Sequence, residues 1–91
     1  MAYVLIYPDS NLKRARKFLR RHPDIQKQYQ KTLELLELNP HHPSLRLHNL
    51  SGKLKALSSV SINMNYRITL EFEINNHEII LINVGDPEQV Y

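Results

Sequence analysis

Residues 60–74 constrain the fold most, because apolar and polar side chains alternate there without a break. The apolar series occupies the even positions: Val60, Ile62, Met64, Tyr66, Ile68, Leu70, Phe72 and Ile74. The odd positions from 59 to 73 carry only serine, asparagine, arginine, threonine and glutamate. Such alternation is typical of extended chain with one buried and one solvent-facing side. Asn65 is a candidate turn or bulge that would divide the run into two strands.

The flanking segments predict two further strands. A β-branched and aromatic run at 2–8 ends at Pro8, as a strand would. The consecutive apolar residues 79–82 are typical of a central strand covered on both faces. Asn75-Asn76 precedes that strand and is predicted to form a two-residue hairpin turn, because asparagine tolerates a positive φ.

Hydrophobic residues recur at helical spacing between the first strand and the alternating run. The first predicted helix runs from about Ser10 to Arg21, is N-capped by Asp9 or Ser10, and buries Leu12, Ala15, Phe18 and Leu19. The second begins at Pro23, buries Ile25, Tyr29, Thr32 or Leu33, and Leu36, and ends at Asn39-Pro40. The prediction is one α+β domain over residues 1–91, in the order β-α-α-β-β-β. Its helical hairpin packs on a small, mostly antiparallel four-stranded sheet.

Composition excludes several kinds of site. The chain has no cysteine, which rules out disulfides, cysteine-ligated zinc and thiolate catalysis. Its two glycines argue against a glycine-rich phosphate loop. The adjacent His41 and His42 have no partner set at metal-ligand spacing, so neither a metal nor a cofactor is expected. Without an apolar membrane span or a basic leader, we expect a cytoplasmic protein.

Positive charge is concentrated at the N-terminal end. Residues 1–31 hold eight lysines and arginines against two aspartates, whereas residues 32–91 carry a net charge of −3. A basic half indicates a polyanionic or acidic partner, and a solvated helix face remains the alternative.

Arg67 is the most informative polar residue of the alternating run. By parity it shares a polar face with Ser61 and Asn63, and the alternative is a surface arginine paired with Glu71 or Glu73. His48 is a single histidine, which is more often structural than catalytic. The aromatic end at Tyr91 either packs on the domain or stacks on a base.

Three segments in this order resemble the RelE/ParE toxin superfamily, closest to its YafQ/RelE-like mRNA interferase branch. They are Leu45-Arg46-Leu47-His48-Asn49-Leu50-Ser51-Gly52-Lys53-Leu54-Lys55, then Ser61-Ile62-Asn63-Met64-Asn65-Tyr66-Arg67-Ile68, then Val84-Gly85 with Val90-Tyr91. The family pattern is "L-x-x-H-x-L-x-G-x-x-x-G" for the first segment, a "Y/W-R-I/L" strand for the second, and a closing "G-S/T-H-D/E-x-V-Y" for the third. The resemblance covers nearly the whole chain.

The resemblance implies the toxin of a bacterial toxin–antitoxin pair that cleaves mRNA in the ribosomal A site. Arg67 would stabilise the phosphate, Lys53 and Lys55 would bind RNA or assist deprotonation, and His48 and Tyr91 match the family's histidine and closing aromatic. Residues Lys13, Arg14, Lys17 and Asn63 would contact RNA. The implied partners are the ribosome with its mRNA and an antitoxin, a short acidic or amphipathic chain that wraps the helices and masks the polar face.

The chain also departs from the family pattern. The family's closing histidine, its proton donor, aligns with Pro87, and Ser61 and Asn65 stand where relatives carry histidine and aspartate. Asp86 or Glu88 could replace the acid if its pKa were raised. The alternative function is therefore a ParE-like toxin that acts on gyrase, or a degenerate member that only binds RNA or its antitoxin.

Overall fold

The computed structural model describes residues 2–73 and 75–86 and shows the predicted α+β architecture. The main elements are β1 (Val4–Ile6), α1 (Asp9–Arg21), α2 (Gln26–Leu38), β2 (His48–Asn49), β3 (Ser58–Ser61), β4 (Arg67–Glu73) and β5 (Glu78–Gly85). The sheet has the order β1-β5-β4-β3-β2, in which β1 is parallel to β5 and the other pairs are antiparallel. The class is confirmed. The predicted count of four strands is wrong, because residues 48–49 pair with β3 as a fifth strand.

The alternating run is divided in two, as Asn65 indicated. Residues 62–66 form a tight loop between β3 and β4, in which the Asn63 Oδ1 atom accepts hydrogen bonds from the backbone N–H groups of Asn65 and Tyr66 at 2.8 and 2.9 Å. Met64 lies at the tip of this loop and is 92% exposed, so its predicted burial is wrong. The turn removes it from the strand that periodicity alone would have continued.

Both helices pack against one face of the sheet and form the core with it. The buried side chains of α2 include Tyr29, Thr32 and Leu36, as the helical spacing predicts. The inward face of α1 carries Asn11, Ala15 and Phe18, and Leu12 is 42% exposed. The prediction of Leu12 as a core residue is wrong, because positions 11, 15 and 18 share one face of the helix.

The element boundaries differ from the prediction in three places. Pro8, not Asp9 or Ser10, precedes α1, and it makes no side-chain cap. Pro23–Ile25 is a separate 3₁₀ turn before α2. In the turn between β4 and β5, the positive φ of 54° is at His77, among the residues that the structure describes there. The connection is longer than the predicted two-residue turn at Asn75-Asn76, because Glu73 is paired with Glu78. Its left-handed residue is the last one, His77.

The face of the sheet opposite the helices is less exposed than alternation predicts. Ser59 and Thr69 are almost fully buried and Ser61 is 9% exposed, although all three lie at odd positions. The Arg67 side chain lies over Ser59, and the loop that precedes β2 reaches the same place. The predicted wet face is therefore wrong at the centre of the sheet.

A β-bulge adjusts the end of β5. Thr69 is opposite Asn83, whereas Leu70 is opposite Leu81, so one residue of β5 is extra. The extra residue lets Val84 join the core beside Ile68 and places Gly85 opposite Arg67. The bulge thus sets which residues of β5 stand next to the start of β4.

Candidate functional site

Arg67 begins β4 on the sheet face opposite the helices, and three hydrogen bonds hold its guanidinium. The Nε atom donates to Ser59 Oγ at 2.6 Å, and the Nη2 atom donates to the backbone oxygen of Arg46 at 3.1 Å. The same Nη2 atom contacts Nδ1 of His48 at 3.1 Å. The side chain is partly buried and held in one orientation.

The Nδ1 atom of His48 lies between two groups of opposite hydrogen-bonding character. It is 3.1 Å from Arg67 Nη2, which can only donate, and 3.4 Å from the backbone oxygen of Arg46, which can only accept. His48 lies in β2 directly opposite Ser59, and its side chain is exposed. Two residues that the sequence singled out separately therefore lie together. Arg67, His48, Ser59 and the Arg46 carbonyl are called the Arg67 cluster below.

Arg46 contributes its backbone, which no sequence pattern indicated. It follows the 3₁₀ turn Pro43–Leu45 and has φ 49° and ψ 47°, the left-handed conformation. A residue with a side chain adopts this conformation at a cost of roughly 1–2 kcal/mol. The turn directs the Arg46 carbonyl at the Arg67 guanidinium, so local strain accompanies the positioning of the cation.

Among residues 2–73 and 75–86, no acid is paired with the positive charge of Arg67. Its partners among the described residues are a hydroxyl, a carbonyl and an imidazole, and Nη1 has no partner there. Glu71 and Glu73 lie opposite Ile80 and Glu78 on β5, so the alternative of an Arg67–glutamate pair does not describe this structure. The site therefore presents a fixed cation with free donors, which suits an anionic group.

The two candidate lysines lie on the turn that follows β2. Gly52, with φ +65°, opens the 3₁₀ turn Gly52–Leu54, and this positive φ explains the glycine. Lys53 is within the turn and Lys55 directly follows it, and both are exposed. Their positive charges lie on the segment that follows His48 in the chain.

The C-terminal candidates are only partly described. Asp86 is partly buried and directly follows Gly85, the residue opposite Arg67. The predicted roles of Glu88 and Tyr91, and the substitution at Pro87, concern positions outside the described residues.

The basic helix lies on the other side of the sheet from Arg67. Lys13, Arg14 and Lys17 are exposed on α1, and Arg14 Nη1 donates to the backbone oxygen of Ile82 at 3.1 Å. Together with Arg21 and His22, Arg14 and Lys17 line a groove between α1 and the end of β5. This groove is a second positive surface, and its lining shares no residue with the contacts of Arg67.

Asn63 is not part of the Arg67 face. Its carboxamide oxygen holds the loop at 62–66, and its Nδ2 atom approaches Gln28 Oε1 at 3.4 Å. The prediction that it shares a polar face with Arg67 is therefore wrong, because the loop leaves the sheet before this position.

Within residues 2–73 and 75–86, no group of three or more histidine, cysteine or acidic side chains is placed to hold a metal ion. In the same part of the chain, no helix is both long and apolar enough to cross a membrane.

Comparison by sequence finds neither a matching family model nor a matching curated protein. Comparison by structure finds toxins. The YafQ toxin from E. coli strain BL21(DE3) has a TM-score of 0.81 at 14% identity, over 98% of each chain. The E. coli DinJ–YafQ toxin–antitoxin complex matches with 0.79 at 14% identity, over 100% of this chain and 99% of the other.

A third solved structure with the same fold is a toxin from another organism. The YoeB/ParE toxin from Agrobacterium tumefaciens matches with a TM-score of 0.73 at 13% identity, over 91% of this chain and 96% of the toxin. The fold is therefore that of the RelE/ParE-type toxins, as the resemblance in sequence implies.

Proposed function

We propose that this chain is the toxin of a toxin–antitoxin pair and that it cleaves mRNA bound to the ribosome. The observation that carries the proposal is the Arg67 cluster, in which a cation that has no acidic partner in the described part of the chain is held in place on a toxin fold. A phosphodiester carries the complementary charge and offers oxygens to the free Nη1 donors.

The proposed reaction is an internal transfer at one phosphate. The ribose 2′-oxygen forms a bond to the adjacent phosphorus and the bond to the 5′-oxygen of the next nucleotide breaks. The products are a 2′,3′-cyclic phosphate and a free 5′-hydroxyl. The reaction needs a base for the 2′-proton, cations for the transition-state charge and an acid for the leaving oxygen.

The residues divide these tasks by their chemistry. Arg67 stabilises the charge on the phosphate, and the imidazole of His48 lies beside the guanidinium. Lys53 or Lys55 binds the neighbouring backbone or takes the 2′-proton. Asp86 and Glu88 are the candidate acids for the leaving oxygen, and Tyr91 stacks on the nucleotide at the cleaved bond.

The basic groove on α1 supplies a second contact with RNA. Lys13, Arg14 and Lys17 are exposed and are not among the contacts of Arg67, so one molecule could hold mRNA at Arg67 and ribosomal RNA at α1. Binding by such residues weakens as salt rises, because it releases counterions from the RNA. The likeness to YafQ in the DinJ–YafQ toxin–antitoxin complex supports an antitoxin as partner. We expect an antitoxin of acidic or amphipathic character to cover the Arg67 face.

The test is cleavage of a 5′-labelled mRNA on purified ribosomes with a filled P site and an empty A site. We expect the parent protein to cut the A-site codon and Arg67→Ala to lose most of this activity. Lys31→Ala is the matched control, since it removes an exposed positive charge from α2. A folded parent protein that leaves the mRNA intact would overturn the proposal.

A second candidate is a toxin that acts without cleaving RNA, for example on gyrase. It is favoured by Pro87, which stands where the family pattern has a proton-donating histidine. Growth arrest on induction separates the two candidates. If Arg67→Ala remains as toxic as the parent, the non-nuclease function gains and the nuclease fails.

A further inference from the structure

A small pocket adjoins the Arg67 cluster on the side of β2. It is lined by His48, Asn49, Leu50, Ser51 and Leu54 and is called the β2 pocket below. The strand β2 is at the edge of the sheet, and the turn Gly52–Leu54 folds back beside it. His48 belongs to both places, because its Nδ1 atom is 3.1 Å from Arg67 Nη2.

The backbone of Asn49 faces outward from the sheet. The N–H of Leu50 donates to the oxygen of Leu57 at 3.0 Å, and His48 is opposite Ser59 in the same register. Because backbone groups alternate in direction along a strand, the N–H and C=O of Asn49 point away from β3. Its side chain cannot swing out freely, since Asn49 Oδ1 accepts a bond from Ser58 Oγ at 2.9 Å.

The chemistry of the β2 pocket fits a flat and uncharged group. Leu50 and Leu54 are partly buried apolar walls, and the imidazole of His48 is a planar one. None of the five lining residues is a lysine or an arginine, so a phosphate would gain little there. A nucleobase combines faces that stack on such walls with an edge where a donor and an acceptor are neighbours.

We propose that the β2 pocket holds a nucleobase of the RNA whose phosphate lies at Arg67. The base stacks between His48 and Leu54, and its edge pairs with the N–H and C=O of Asn49. The shared His48 keeps base and phosphate within one or two nucleotides of each other. This proposal rests on the proposed function, and it adds that the pocket selects which sequence is cut.

Binding can be tested without cleavage. In a ¹⁵N–¹H NMR titration of the whole chain with 5′-AMP, 5′-GMP, 5′-CMP and 5′-UMP, we expect the amide signals of Asn49 and Leu54 to shift most. Ribose 5-phosphate, which lacks a base, should leave these two signals unchanged. Equal shifts with ribose 5-phosphate, or shifts confined to α1, would overturn the proposal.

Variants at Leu54 test the pocket in a second way. Leu54→Ala should weaken nucleotide binding about fivefold or more, as the loss of one stacking wall implies. Leu54→Met keeps the bulk and should bind like the parent, which separates loss of the wall from loss of the fold. Leu38→Ala is the matched control, because Leu38 is 72% exposed on α2.

Cleavage profiles then separate this proposal from the proposed function. On programmed ribosomes, Leu54→Ala should still cut but with a weaker preference among codons. An unchanged preference contradicts the β2 pocket and leaves the nuclease intact. A parent that never cuts but whose Asn49 signal shifts with nucleotides contradicts the nuclease and leaves the pocket as a base site.

Discussion

Replacing Arg67 with lysine keeps the charge and tests whether the shape of the guanidinium matters. The guanidinium uses Nε and Nη2 to hold Ser59, Arg46 and His48, and it offers Nη1 to the substrate. A lysine has one nitrogen, so it cannot keep the Ser59 contact and reach the phosphate together. One hydrogen bond to a charged group contributes about 1.5–3 kcal/mol.

That free energy converts to a rate, since about 1.4 kcal/mol corresponds to a factor of ten. We therefore expect Arg67→Lys to slow cleavage roughly 10- to 150-fold if the contact is made in the transition state. The assay is single-turnover cleavage of labelled mRNA at saturating protein, with urea unfolding to verify the fold. Lys31→Arg is the control exchange of one exposed cation for another. Cleavage by Arg67→Lys within threefold of the parent would refute the assigned role of Nη1.

Three further predictions concern stability. Burial, and to a smaller extent the charge of Tyr7, raise the pKa of Tyr29 from its usual 10.0 to about 12. Tyr29 therefore ionises first in the unfolded chain, and the free energy of unfolding falls as the pH rises from 10 to 12. Tyr29→Phe should remove about 2–3 kcal/mol of that fall, measured by urea unfolding. The same pH dependence in the variant and the parent would contradict this cause. Asn11 buries both polar atoms of its carboxamide without a partner among the described residues. Asn11→Leu should therefore raise the free energy of unfolding by roughly 1–2 kcal/mol. A loss of stability would show that the carboxamide is hydrogen-bonded in the parent. Arg46→Gly should leave the carbonyl in place, relieve the left-handed strain and raise stability by about 0.5–1 kcal/mol, and a lower thermal midpoint would count against strain at this residue.

The sequence predictions succeeded where the structure depends on residues close together in the chain and failed where it depends on residues far apart. The core of α2 and the division of the alternating run were predictable, because helical spacing and a turn-forming asparagine act over a few residues. Leu12 and Met64 were assigned wrongly to the core. Both are apolar residues at the correct period, and a shift in helix face or a loop of five residues was enough to expose them.

The Arg67 cluster shows the limit most clearly. The odd position of Arg67 in the alternating run predicted that its side chain lies on the sheet face away from the core, because successive side chains of a strand point to opposite faces. Its contacts with Ser59 and His48 depend on which residues of β2, β3 and β4 stand side by side, and that register is set by turns and by packing. The Arg46 carbonyl required the left-handed end of a 3₁₀ turn, for which an arginine carries no signal.

Residues close together in the chain were enough to predict the two helices, the alternation of the strands and the excess of positive charge on α1, whereas the short edge strand β2 was missed. Only the tertiary structure decided that Arg67 and His48 meet and that the basic helix lies on the opposite side of the sheet. The physical reason is that hydrogen-bond register between strands, and the face on which a helix packs, depend on contacts between residues far apart in sequence. A pattern along the chain does not contain those contacts.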